Sequence, residues 1–517
     1  MAGLGLGLLA LGPGLRPGYL LAYDMVFVPA PRFSATMFGL TGTVPRAVPS
    51  DAVVTALAQV LPADLVQKCL LLGIFVLACA GVARLLAGEP CPARLAAGVF
   101  YAWNPFVAER LLIGQWALLL GYAGLPWLLT AACRPVGADG WWRWSARLGL
   151  ALLPAAVGGF AAIAISALVA VPAAALLRGG WRHRVTGTAV ALGLLVVLSL
   201  PWLVPSLTRT VPGSPLGVAL FAARADTPFG SAGSVLLLGG EWNAQTVPAG
   251  YGGAVAGFWL CLVVVALAGY LLLGRGRWPG AGVAAVAGLV LALLGVTGPG
   301  QHLLRALIGT WGGFAVLRDG QQFAAPLALA EAAGFGLAVR WVLRAARPAA
   351  VLREGTAVAA AALVVAPVAF LPGLAWGAAN RLRPVEYPAS WLAVRRLVNA
   401  DPAAGSVLVL PWAAYRRPAW NHGEAVLDPW PRLLTRTVIW NDGVQVGSVT
   451  LPPENPSATA LTASVSSGRP LTARLAASGV RYVIDDVGAV SPSVQERLLP
   501  GCTVAYSAPG IAVYRVP

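Results

Sequence analysis

Few residues in this chain are equipped for chemistry, and each stands in a setting that narrows its use. Asp24 lies in Tyr23-Asp24-Met25-Val26-Phe27, where an apolar run gives way to a long polar stretch. An ionised carboxylate there can take a proton from a hydroxyl brought within hydrogen-bond reach. It can equally cap a helix or pair with Arg32. Glu109 and Arg110 follow Asn104-Pro105. The residue before a proline is disfavoured in helix, so these two open a new segment. A helix N-terminus welcomes negative charge; Glu109 is either that structural acid or a second acid helping to bind an acceptor or a metal. Arg318 and Asp319 stand in Leu317-Arg318-Asp319-Gly320-Gln321-Gln322-Phe323. The planar fork of an arginine suits a phosphate, whereas an exposed Arg–Asp pair is worth only about 0–1 kcal/mol. Arg224 and Asp226, with Trp242 and Asn243 after Glu241, offer aromatic and amide groups for stacking on a sugar and reading its hydroxyls. They suit an ordinary interfacial loop as well.

Composition decides where these residues must work. The 517 residues are 58% hydrophobic and 11% charged, with a mean hydropathy of +0.74. Soluble domains carry about 25% charged residues, so the chain belongs in a bilayer. Nineteen Trp fit the aromatic belts of membrane interfaces. The net charge of +16 would suit nucleic acid, but the basic residues are almost all Arg, and many of them sit in short connections between apolar runs. That is a topology signal, and no nucleic-acid partner is expected. The six Cys form no CxxC pair, His183, His302 and His422 are scattered, and neither GxSxG nor GxxxxGK[ST] occurs. A disulfide framework, a histidine metal site, serine hydrolysis and cytoplasmic nucleotide chemistry all lack support.

A span needs roughly 20 apolar residues, and candidates fall near 1–22, 69–87, 93–104, 115–132, 147–161, 163–178, 186–205, 254–273, 280–297, 322–341 and 355–373. The connections 84–94, 133–147, 178–185, 274–279 and 340–354 hold fourteen Arg; the alternate ones, 23–68, 104–114, 206–252 and 298–321, hold eight Arg or Lys in more than twice the length. Positive charge marks the cytoplasmic side. The N-terminus is therefore expected inside, and the long loops 23–68, 206–252 and 298–321 outside. Cytoplasmic connections carry few acids (Glu89, Asp139, Glu354), whereas Asp24, Asp51, Asp64, Glu109, Asp226, Glu241 and Asp319 fall outside. Long loops that are not linkers carry function, so the site is sought on the external face. Glu331 alone sits well inside a span, roughly 14 Å deep if that helix starts at Gln322. An acid there faces a polar cavity or is neutral and hydrogen-bonded between helices.

From about residue 378 the composition changes. Helical spacing at 391–397 and 471–478 alternates with strand-like runs at 406–410 and 480–484, and 502–506 with 511–515 flanks Ala508-Pro509-Gly510 as a hairpin. The stretch 412–456 reads as loop. The expected architecture is a polytopic α-helical membrane domain over 1–377, with about eleven helices, and an extracytoplasmic α/β domain over 378–517.

Tyr23-Asp24-Met25-Val26-Phe27-Val28-Pro29, the stretch 104–116 beginning Asn104-Pro105-Phe106, and the stretch 317–323 resemble elements of the GT-C superfamily of integral-membrane glycosyltransferases, especially the multi-span envelope enzymes of actinobacteria. Where that family carries paired acids, Asp24 is flanked by Tyr23 and Met25. The resemblance implies a plasma-membrane enzyme that moves a sugar from a polyprenyl-phosphate donor to a cell-envelope glycan or glycolipid acceptor, with inversion. Asp24 would be the general base, Glu109 the second-loop acid and Arg318 the holder of the lipid phosphate, with Asp319, Glu331, Arg224, Asp226, Trp242 and Asn243 lining the substrate. The resemblance implies no certain cofactor; a divalent metal is compatible with the family, though no ligand cluster points to one. The rival classes are a transporter or flippase of lipid-linked saccharides, which the broken segments and Glu331 suit, and a non-catalytic envelope-assembly subunit.

Overall fold

Apolar runs interrupted by glycine and proline become helices joined at tight breaks in the computed structural model of the chain. It describes residues 1–517 except 42–43, 135, 137–139, 208–214, 346–349 and 487–496; Asp139, Arg209 and Arg347 of the charge argument lie outside the described residues. Mostly helical, the protein divides into two compact units. The first comprises Met1–Leu15, Lys68–Leu200 and Pro215–Leu382, the second Arg16–Gln67, Pro201–Ser214 and Arg383–Pro517.

Four described helices are long and apolar enough to cross a membrane, or up to six if two bent pairs each count as one span. Shorter apolar helices, Trp116–Ala132 and Phe160–Ala175 among them, accompany these. The expected run 1–22 is instead a helix of ten residues, Ala2–Leu11, followed by a 3-10 turn at Gly12–Leu15. Within 147–178 the chain breaks at Gly159, whose φ of 79° lies in the left-handed region, giving separate helices Gly140–Gly158 and Phe160–Ala175.

Helix Ala325–Ala345 packs against Cys91–Ala102, Ala254–Gly269 and Pro279–Leu294. Lipid supplies little hydrophobic drive between helices, so close backbone approach must hold them. Gly269 and Gly334 provide it, since a Cβ on either would strike backbone of the other helix.

Some of the charged connections meet in space. Glu89 accepts hydrogen bonds from Arg277 (2.6 Å) and Arg340 (3.1 Å), which joins three connections of the Arg-rich set. Residues of 104–114, 206–252 and 298–321 meet one another around Arg110.

The second unit contains a five-stranded mixed sheet in the spatial order Thr503–Ala508, Ile511–Arg515, Val480–Asp485, Ser406–Leu410, Val438–Ile439. The first two contacts are antiparallel and the last two parallel. Side chains of a strand alternate between faces. Val407 and Val409 pack with Trp391, Val394 and Val398 of helix Ala389–Ala400, while Leu408 and Leu410 pack with Leu461, Leu471 and Leu475 on the other side. Leu21, Val26 and Val28 enter the first of these cores, so the segment carrying Asp24 is part of this unit. Tyr19–Leu20 pairs antiparallel with Pro384–Val385, and the Gln67 side chain both accepts from and donates to the Leu20 backbone.

Replacing Gly334 with Val is expected to cost about 1–3 kcal/mol by overpacking, read as a lower unfolding temperature in detergent. Gly257→Ala, where an added Cβ meets nothing within 4 Å, should leave that temperature in place.

Candidate functional site

Asp24 sits at the tip of a tight turn. Met25 donates its backbone N–H to Ala22 O (2.8 Å), and Tyr23 between them takes a φ of 44°, rare for a residue with a side chain. Two backbone bonds offset that strain: Tyr23 N–H to Ala425 O at 2.6 Å, and Leu427 N–H to Tyr23 O at 2.8 Å. The turn is thereby added to the edge of a small hairpin, Tyr415–Arg416 with Val426–Leu427. From the same hairpin the Tyr415 hydroxyl donates to Asp24 Oδ1 at 2.6 Å.

A buried ionic centre fixes the hairpin. The Arg416 guanidinium donates to Asp428 Oδ2 at 2.9 Å and also to Asp486. Trp430 completes it, with Nε1–H donating to Asp486 (2.8 Å) and its backbone N–H to Asp428 (2.9 Å). Burial raises the Asp486 carboxyl to about 7, against the opposing pull of Arg416.

The first unit holds a second ionic centre. Helix Pro105–Leu112 starts at Asn104, whose side chain accepts from Val107 N–H (3.0 Å) and donates to the carbonyls of Phe100 and Tyr101. This rigid start aims Arg110 inward, where it has no exposed surface. Its two terminal nitrogens grip Asp319 at 2.8 and 2.9 Å, one of them meets Glu241 at 2.8 Å, and Nε–H donates to Gln321 at 2.8 Å. Glu109, also without exposed surface, accepts from the Glu241 backbone N–H at 3.2 Å. Burial first, then the neighbouring Asp226 and Glu241, pushes the Glu109 carboxyl well above the usual carboxylate range.

The remaining sequence candidates fall around this centre. Asp319 pairs with Arg110, whose fixed fork reaches both of its oxygens. Arg318 lies over the Phe221 ring at 4.8 Å, and Phe221 meets Trp242 edge-on at 4.7 Å. Asp226 receives the Gly240 N–H and stands 3.8 Å from the half-exposed Arg224. Asn243 caps the short turn Ala244–Thr246. Glu331 is fully buried on its helix, with no hydrogen-bond partner for either oxygen among the described residues. No three His, Cys, Asp or Glu among the described residues converge to hold a metal. The first unit thus gathers Glu109, Arg224, Asp226, Trp242, Arg318 and Asp319 into one loop cluster, and Asp24 belongs to the second unit. Sequence reading passed over Tyr415 and Arg416, which stand in a stretch taken for loop. Arg110 did carry a signal, since a cation amid apolar residues needs partners.

Over the whole chain, the structure matches the mycobacterial arabinofuranosyltransferase AftD with a TM-score of 0.63 at 18% identity. The chain has a GT-C fold. It spans 41% of the length of that AftD chain. ArnT from Cupriavidus metallidurans aligns over 98% of this chain and 96% of its own, at 15% identity and a TM-score of 0.47. The Archaeoglobus fulgidus oligosaccharyltransferase aligns over 99% of this chain and 69% of its own, at 15% identity and a TM-score of 0.35. No protein-family model and no curated sequence matches the chain. With the GT-C fold and several apolar helices, the chain is a multi-pass membrane protein.

Removing the guanidinium as Arg110→Met would leave Asp319 and Glu241 buried without their cation, a loss of about 3–5 kcal/mol. Glu109→Gln, which keeps the shape of a carboxyl whose proton affinity burial already raises, should cost far less, and thermal unfolding of the two variants measures the contrast. The second unit has a pH signature. Asp486 favours its protonated form when folded, so its stabilisation is complete below pH 4 or so and is lost as the pH climbs through about 7. Unfolding of wild type against Asp486→Asn between pH 4 and 8 should show a steeper loss of stability with rising pH in wild type.

Proposed function

We propose that the chain transfers a sugar from a polyprenyl-phosphate donor to a glycan or glycolipid acceptor of the cell envelope, on the external face of the membrane and with inversion. The observation that carries this reading is the GT-C fold, matched over 100% of the chain to an arabinofuranosyltransferase. The clustering of 104–114, 206–252 and 298–321 supports it, because the loops assigned outside by charge share one polar centre. In this reading about eleven spans cross the bilayer, the N-terminus is cytoplasmic and residues 378–517 lie outside.

Asp24 acts as general base. It takes the proton of the acceptor hydroxyl as that oxygen bonds to the anomeric carbon, and the bond from that carbon to the polyprenyl phosphate breaks. The phosphate leaves with the bonding electron pair. Arg318, half-buried over Phe221, offsets its charge. A preorganised cation placed where charge develops supplies much of the acceleration in such transfers. Trp242, Arg224 and Asn243 shape the surrounding loop. Asp319 serves by fixing Arg110, Glu109 by holding the Glu241 backbone beside it, and Glu331 stays within its helix.

Purified protein in lipid nanodiscs, given radiolabelled polyprenyl-phosphate sugar and an envelope acceptor, should form a glycosylated product. Asp24→Asn should slow it about a hundredfold or more while the protein remains folded. Undiminished transfer by Asp24→Asn would overturn the base assignment. Movement of labelled lipid across vesicles by wild type, without transfer, would make the chain a transporter instead.

A further inference from the structure

A general base must be held in one orientation and in its ionised form, and position at a loop tip provides neither. Among the described residues, groups from three stretches of the second unit act on Asp24. Tyr23 flanks it on its own turn, Tyr415 reaches it from the hairpin, and Arg46 exerts its charge from the segment before helix Ser50–Leu57. Arg46 is itself paired with Glu454 at 2.6 Å, and Asp442 adds to its field. Arg46 is thus largely engaged by acids other than Asp24. Tyr415 differs: its hydroxyl donates straight to Asp24 Oδ1 at 2.6 Å, the length of a charge-assisted O–H···O bond.

The hairpin that presents Tyr415 is well anchored. Residue 416, next along the strand, is the arginine held by Asp428 and Asp486. Residues 425 and 427 of the opposite strand grip the backbone of Tyr23. Asp24 is therefore clamped through its neighbour's backbone and through its own side chain by a single element. The phenol ring also packs near Tyr23, with centroids 5.9 Å apart. That ring contact survives loss of the hydroxyl.

We propose that Tyr415 is a positioning residue for the transfer reaction, its hydroxyl fixing one oxygen of Asp24 and keeping the carboxylate ionised and aimed at the acceptor. This rests on the reading of Asp24 as the base. A hydrogen bond donated to the charged form of an acid lowers its proton affinity. Removing the donor raises that affinity, so a higher pH is needed to generate the base.

The test is Tyr415→Phe in the full chain, compared with wild type and Asp24→Asn. In wild type and Tyr415→Phe, kcat/KM is measured against pH with the lipid-linked donor. The protonated Asp24 carboxyl is titrated in parallel by infrared difference spectroscopy, its band assigned by its absence in Asp24→Asn. Tyr415→Phe should move both the acidic limb and the infrared midpoint up by about one pH unit, with kcat/KM on that limb about tenfold lower and recovering as the pH rises. A uniform loss of rate at every pH with an unmoved midpoint would reduce Tyr415 to a packing residue and overturn the inference. Wild-type transfer by Asp24→Asn would overturn the catalytic reading of Asp24, and Tyr415's part in the reaction with it. The infrared midpoint reports on the Tyr415 bond without any turnover, so the two failures are told apart.

Discussion

A guanidinium cannot leave water unless acids meet it where it lies. Arg110 and Arg416 are both buried, and in each case two acids distant in sequence converge on the cation: Glu241 and Asp319 on Arg110, Asp428 and Asp486 on Arg416. The cost of desolvating such a group is several kcal/mol per ion and is offset only by good geometry and additional hydrogen bonds. Gln321 and Trp430 supply those extra bonds. Each centre therefore determines where its loops can go. Loops that would otherwise wander over the membrane surface are held to within the length of a hydrogen bond.

What the centres hold is the candidate chemistry. Around Arg110 the loops bring Arg318, Phe221 and Trp242 into one patch, a cation on an aromatic face with a second ring at its edge. Around Arg416 the hairpin holds Asp24 by backbone and side chain. Rigid support of this kind is what electrostatic catalysis requires, because a group already in place spends no energy reorganising during the reaction. The strained Tyr23 fits the same logic: an unfavourable backbone angle persists where the surroundings over-determine it.

The sequence made some of this legible and concealed the rest, for physical reasons. Composition alone indicated a membrane protein, since few soluble cores are this apolar. Strands such as 406–410 and 480–485 and the hairpin 503–515 show through short apolar runs and a turn at Pro509-Gly510, which are local signals. The division of 147–178 into two segments shows in the charges at its two ends, Arg143 and Arg147 before it and Arg178 after it, and not in the glycine at which the chain breaks. Ion-pair partners do not show. Arg110 and Asp319 lie 209 residues apart, and nothing local in either stretch points to the other. The stretch 412–456 has no periodicity because its strands are two residues long, yet one of them, Val438–Ile439, joins the main sheet, and another carries Tyr415. Helices shortened by proline and glycine also blur the count of spans, because a window of fixed length merges or splits them.

The most direct measurement is a structure with a non-transferable polyprenyl-phosphonate sugar and the acceptor bound together. The account predicts the acceptor hydroxyl within hydrogen-bond reach of the Asp24 carboxylate, on the side of the anomeric carbon opposite the phosphonate. An acceptor seated elsewhere, with Asp24 facing bulk water and only Tyr415 beside it, would contradict it.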